Sequence, residues 1–191
     1  VSRENPRAQI IDTATRLFIE HGFHNTGVDI IIRESGVAKR TLYRHFPSKE
    51  DLIVAVLKTY NENFSRSLIE RTEGASTNPK ERLLYLFDLV NEWFHDKSFF
   101  GCMFINAVGE FSARESEIRT VCKDFKATIR TYIESLCREA QLNAPEELAK
   151  RLALLIEGAI VTTQVSQLPD AGSTAKQAAV LLIEAADSQN N

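Results

Sequence analysis

The strongest constraint on the fold of this chain is a pair of short helical stretches, about residues 28–35 and 39–45, separated by Gly36-Val37. Gly36 lets the backbone turn sharply, and Val37, Leu42 and Phe46 are the apolar anchors that hold the second stretch to its neighbours. Lys39, Arg40, Thr41, Tyr43 and Arg44 are left to face outward. Two short helices at an angle, the second apolar inside and basic outside, describe a helix-turn-helix, here at about residues 27–46. A helix of this width fits the major groove of DNA, and side chains near its N-terminus reach base edges.

Charge distribution agrees with that reading. The whole chain carries a formal −3, which by itself argues against nucleic acid. Residues 1–60, however, hold nine Lys/Arg against seven Asp/Glu, and residues 61–191 hold 14 against 19. Between Arg33 and Lys49 there are five bases and a single acid, Glu34. A local basic patch matters more for phosphate than the total, although a solvated surface would look the same in composition.

The rest of the chain reads as helix. Ile10, Ile11, Ala14, Leu17 and Phe18 form a stripe that ends at Gly22. Thr26-x-x-Asp29 has the spacing of a capping box for the second helix, with Thr26 or Gly27 as its cap. Ser48 is a good N-cap for a fourth helix, expected to run to about Ile69, with Glu50 and Asp51 at its positive end. Gly74 to Asn78 is the clearest polar linker, and Pro79 restarts a helix through Phe94. Further helices are expected at about 102–113, 116–141, 145–166 and 174–188. The fold class is therefore all-α, with about nine helices, and the Gly74 to Asn78 linker is the best domain boundary that the residues themselves offer.

Several function classes find little support. No apolar run approaches the roughly 20 residues that span a bilayer, and the polar start at Val1 to Asn5 does not resemble a secretory signal. Cys102, Cys122 and Cys137 lack metal-ligand spacing and suit a reduced, cytoplasmic compartment. Cys102 could serve as a redox sensor, but no base near it in sequence favours a thiolate, and a buried inert thiol is the plainer reading. His21 and His24 flank a helix end, so they lack the rigid face of a zinc site. No phosphate loop or nucleophile elbow occurs, so neither catalytic residues, a metal nor a cofactor is expected.

The run Thr41-Leu42-Tyr43-Arg44-His45-Phe46-Pro47-Ser48-Lys49-Glu50-Asp51-Leu52 resembles the signature of the TetR/AcrR family of transcriptional regulators. Phe18-x-x-x-Gly22-Phe23 and Thr26-x-Val28 extend the resemblance over about residues 7–64. It implies a three-helix DNA-binding head over residues 4–64 on a helical-bundle body for ligand binding and dimerisation over residues 65–191. Position by position, it assigns Tyr43, His45 and Lys49 to phosphate, and Thr41 to the backbone or a base methyl. Lys39 occupies a variable reading position and is the leading candidate for a base contact, with guanine the base whose acceptors suit a lysine. Thr26, Arg40 and Arg44 complete the candidate DNA-binding set. Packing within the head is the alternative for Tyr43 and His45. The chain departs from the family pattern in three places: Arg40 stands where Gly is usual, Ala38 where Ser is usual, and Ile32 where Ala is usual. Ala38 forfeits a cap worth about 1 kcal/mol.

For the body, the resemblance raises the prospect of a small-molecule pocket. Candidates to line it are Phe64, Leu68, Phe87, Val90, Trp93, Phe94, Met103, Asn106, Glu110, Ile129 and Ile133. A plain bundle core accounts for the same residues, and Asn106 and Glu110 could instead make structural hydrogen bonds or pair with Arg114. Leu152, Ile156, Ala159, Ile160 and Thr163 form one C-terminal stripe, and Ala179, Leu182 and Ile183 another. Each fits either the monomer's own core or, as the resemblance implies, a four-helix dimer interface. The partners implied are a palindromic operator in double-stranded DNA, an effector of unknown identity and a second copy of the chain, with no membrane. The alternatives are a ligand-binding or interaction protein without operator binding and, last, an enzyme using the helical cavity.

Overall fold

The computed structural model describes residues 5–111, 113, 116–168 and 170–188, and among them finds nine helices and no strand. They are α1 (Pro6–His21), α2 (Val28–Ser35), α3 (Lys39–His45), α4 (Lys49–Ala75), α5 (Pro79–His95), α6 (Met103–Glu110), α7 (Glu117–Glu139), α8 (Pro145–Ser166) and α9 (Ala171–Ser188). Contacts divide the chain into two compact units. One comprises residues up to Asn63 together with Cys102–Asp124, and the other comprises Phe64–Gly101 and Phe125–Asn191. The boundary therefore falls inside α4, and α6 with the start of α7 belongs to the first unit.

In the first unit α1 opens on Asn5, whose side chain accepts from the Arg7 N–H at 3.0 Å, with Pro6 at the first helical position. It buries Ile10, Ile11, Ala14, Leu17 and Phe18 and ends at Gly22, whose φ of +82° few other residues adopt. Phe23 folds back so that its ring lies 4.9 Å from that of Phe18. Gly36 closes α2 in the left-handed region, at φ +68°. α3 is held from below by buried Leu42 and Phe46. Its N-cap, Ala38, makes no side-chain capping bond, as the missing hydroxyl implies.

α4 starts with a reciprocal cap. The Asp51 N–H donates to the Ser48 hydroxyl at 3.0 Å, and the Ser48 N–H donates to the Asp51 carboxylate at 2.9 Å. The capping box expected at Thr26-x-x-Asp29 does not form: Gly27 takes the cap position of α2 without a side-chain bond. α4 also runs to Ala75, past the expected end near Ile69, so the polar linker shrinks to the turn before α5. α6 spans Met103–Glu110, shorter than the expected 102–113, and α9 starts at Ala171, three residues early. The suggested partner Arg114 lies outside the described residues.

The second unit is a bundle in which α5 and α8 both pack on α9. Lys176 of α9 reaches Asp88 of α5 at 2.6 Å, and Lys80 of α5 reaches Asp187 at 2.6 Å. Between these pairs lie Leu83, Leu86, Phe87, Ala179 and Ile183, all buried.

Candidate nucleic-acid interface

The outward face of α3 is built by subtraction. Leu42 and Phe46 take the inner side, so Lys39, Arg40, Tyr43 and Arg44 are exposed, and Thr41 and His45 are half-buried beside them. Tyr43 is 41% exposed, so it does not take the packing role that an inward-facing tyrosine would have. Lys39 is oriented by an ion pair: its Nζ lies 3.2 Å from Asp29 Oδ1, across the turn on α2. Behind α3, the Arg7 guanidinium lies 5.5 Å from the centre of the Phe46 ring. Arg16 ties α1 to α2 through Glu34. The result is a cationic helix with its long side chains projecting from a rigid three-helix frame.

Lys49 sits at the first position of α4, half-buried, with its Nζ 3.4 Å from the carbonyl of His24. Burial lowers its pKa, and the negative charge of Glu110 partly opposes that shift. Glu110 itself has a role that the periodicity of α6 does not disclose. Its carboxylate accepts from the Phe23 N–H at 2.9 Å, the His24 N–H at 2.6 Å and His24 Nδ1 at 2.8 Å. Burial opposes its ionisation, but these donors outweigh the burial and hold the carboxyl below its ordinary value. The His24 ring also stacks on Phe111, 4.8 Å between centres. A Cβ on Gly22 would come within 3.0 Å of the carboxylate, so glycine suits this turn for its space as well as its φ.

Three groups of expected site residues need correction. Thr26, a candidate DNA contact, is 1% exposed, and its hydroxyl donates to the carbonyls of Gly22 and Leu17, at 2.7 and 3.2 Å. It ties the α1–α2 turn together and presents no side chain to DNA. Met103, Asn106 and Glu110, candidates for a body pocket, belong to the N-terminal unit, with Met103 buried and Glu110 bonded to the α1–α2 turn.

The remaining pocket candidates separate into two sets. A cavity of about 250 Å³ between the second half of α4 and α5 is lined by Phe64, Leu68, Val90 and Trp93. Not anticipated from sequence are the other residues of its wall: Ser67, Arg71, Leu89, Glu92 and Asp96. Phe87, Phe94 and Ile133 are buried and Ile129 half-buried, and none of the four lines this cavity.

The third correction concerns the C-terminal helices. Leu152, Ile156, Ala159, Ile160, Thr163, Ala179 and Ile183 are all buried within the single chain, and Leu182 is half-buried. They close the monomer's core. The exposed apolar residues lie on the opposite face: Leu154, Val161, Val165 and Leu168 at α8 and beyond, and Leu181 on α9. Leu154, Val161 and Val165 stand at i, i+7 and i+11 with exposed Gly158 between them, a regular helical stripe that the sequence already contains.

The profile described as "Bacterial regulatory proteins, tetR family" matches residues 10–56, and "Tetracyclin repressor-like, C-terminal domain" matches residues 79–179. The chain belongs to the TetR family. It is 32% identical over 162 residues to the uncharacterized HTH-type transcriptional regulator YxaF of Bacillus subtilis strain 168, covering 83% of each. To the HTH-type transcriptional regulator LmrA of the same organism it is 29% identical, over 84% of this chain and 87% of the relative. The crystal structure of SCO4454, a TetR-family regulator from Streptomyces coelicolor, superposes with a TM-score of 0.84 at 25% identity, covering 95% of both chains. This TetR-family protein is thus a transcriptional regulator with a DNA-binding helix-turn-helix, from a family of regulators rather than enzymes. No helix among its described residues is long and apolar enough to cross a membrane.

Proposed function

We propose that this TetR-family regulator is a cytoplasmic homodimeric repressor that a small molecule releases from a palindromic operator. The observation that carries the reading is the exposed cationic face of α3, with Lys39, Arg40, Tyr43 and Arg44 aligned outward. Phosphates would bind Tyr43, His45 and Lys49, and Lys39 would read a base edge in the major groove. Asp29 would hold Lys39 until DNA competes for it.

Dimerisation is supported by the apolar stripe of Leu154, Val161 and Val165 with Leu181, a face that a soluble monomer would expose at a cost. Two copies packed through it on a two-fold axis would present two α3 helices to two half-sites. Release by a ligand is supported by the course of α4. That helix begins at Lys49 and also carries Phe64, Ser67, Leu68 and Arg71 along the 250 Å³ cavity. A ligand that binds one α4 position better than another shifts the equilibrium by that difference in affinity.

A mobility-shift titration with the intergenic DNA next to the gene tests the proposal. A palindromic site should be bound as a dimer, in a salt-sensitive manner, with a half-site bound far more weakly. Absence of a salt-sensitive shift on every neighbouring promoter would overturn it.

A further inference from the structure

We propose that the cavity between α4 and α5 takes a small aromatic cation, with its ring against Phe64 and Leu68 and its positive charge between Trp93 and Asp96. This rests on reading that cavity as the effector site, and it adds the chemical class of the ligand.

The wall supplies both halves of such a molecule's needs. Phe64, Leu68, Leu89 and Val90 give an apolar slot, and its 250 Å³ falls just below the roughly 300–1,000 Å³ usual for ligand pockets. A compact ligand of one or two rings is therefore favoured. The indole of Trp93 is the best cation-binding face among the aromatic side chains. Its orientation is fixed by an edge contact with Phe99, 4.8 Å between centres, and by Phe64 at 6.4 Å.

Charge decides the sign of the ligand. Glu92 and Asp96 stand four residues apart, on one side of the C-terminal end of α5, where the helix carbonyls add negative potential. Arg71 lies 2.5 Å from Glu92 and cancels that one carboxylate, so the wall keeps a balance of one negative charge. The Ser98 N–H and hydroxyl both donate to Asp96 Oδ1 at 2.8 Å and hold its carboxyl below the usual value, so it is ionised at neutral pH. An anion would meet this net negative charge and a neutral molecule would gain nothing from it, since exposed Asp96 stays hydrated, so only a cation draws affinity from the charge of the wall.

The chain has a single tryptophan, and it lies in this wall, so intrinsic fluorescence reads the site directly. The probes are phenyltrimethylammonium, its uncharged isostere tert-butylbenzene, and benzenesulfonate. Phenyltrimethylammonium should perturb Trp93 saturably and bind at least about tenfold tighter than either other probe. Asp96→Asn keeps the oxygen that accepts from Ser98 but removes the charge. It should weaken the cation about tenfold and leave tert-butylbenzene unchanged, which also checks that the cavity is intact. Glu92→Gln unpairs Arg71 and should raise the affinity for benzenesulfonate. If the neutral or anionic probe binds as well as the cation, the charge class is wrong and the effector cavity stands. If no probe perturbs Trp93 saturably, the aromatic-cation reading falls, while the effector reading of the cavity falls only if filling it, as by Leu68→Trp, leaves operator release unchanged.

Discussion

The α3 face and the α8–α9 face are both exposed, but for different physical reasons. α3 has one apolar side, Leu42 with Phe46 behind it, and that side is consumed by the head; what remains is charged and polar. α8 has two apolar sides. One, through Leu152, Ile156 and Ile160, is buried in the monomer, and the other, through Leu154, Val161 and Val165, is left in solvent. A charged remainder is stable in water on its own, whereas an apolar remainder is a surface that association would bury. On the proposed reading, the first surface meets DNA and the second meets another copy of the chain.

Substitutions at matched residues sharpen or break this contrast. Leu42→Ala should have the largest effect, about 2–5 kcal/mol of lost stability by urea denaturation, because the side chain is 1% exposed. Leu154 is 72% exposed, so Leu154→Asp should change monomer stability by no more than about 0.5 kcal/mol. Its effect should appear in sedimentation equilibrium instead, as weaker dimerisation by about 2 kcal/mol, or roughly 30-fold. Unchanged self-association would remove this face from the dimer.

Lys39→Ala should cost about 1–3 kcal/mol and relax preference at one base pair, whereas Lys49→Ala should weaken all sequences alike and reduce the salt slope by about one. Equal loss across sequences for both variants would reassign Lys39 to phosphate. Glu110→Gln should cost less, about 1–2 kcal/mol of stability, since an amide oxygen still accepts from the α1–α2 turn. The folded-state pKa of Glu110 is depressed, so its contribution is complete above the ordinary glutamate value and is lost as pH falls through the lowered one. The stability gap between parent and Glu110→Gln should therefore close in acid, and a gap that persists or widens there would contradict the assignment.

How far each region was legible follows from the same contrast. The breaks at Gly22, Gly36 and Pro47-Ser48, and the inward positions Leu42 and Phe46, follow from neighbours within a few residues, and the head could be read from them. The 250 Å³ cavity was half legible. Phe64, Leu68, Val90 and Trp93 stood out as apolar, but Arg71 and Glu92 are 21 residues apart and gain meaning from their pairing. Thr26 was misread because its hydroxyl finds carbonyls four and nine residues back, Gly22 and Leu17, in place of the local cap its spacing suggested.

By itself the sequence determined what local chemistry can determine: helices, most of their caps, and a basic face on α3 opposite its apolar side. Tertiary structure decided which apolar face of α8 turns inward and where the carboxylate of Glu110 finds its donors. The reason is physical. Helical periodicity ranks the faces of a single helix, but when two faces are apolar the choice depends on what packs against them. The donors that hold Glu110 lie 86 and 87 residues away along the chain, where no local pattern can announce them.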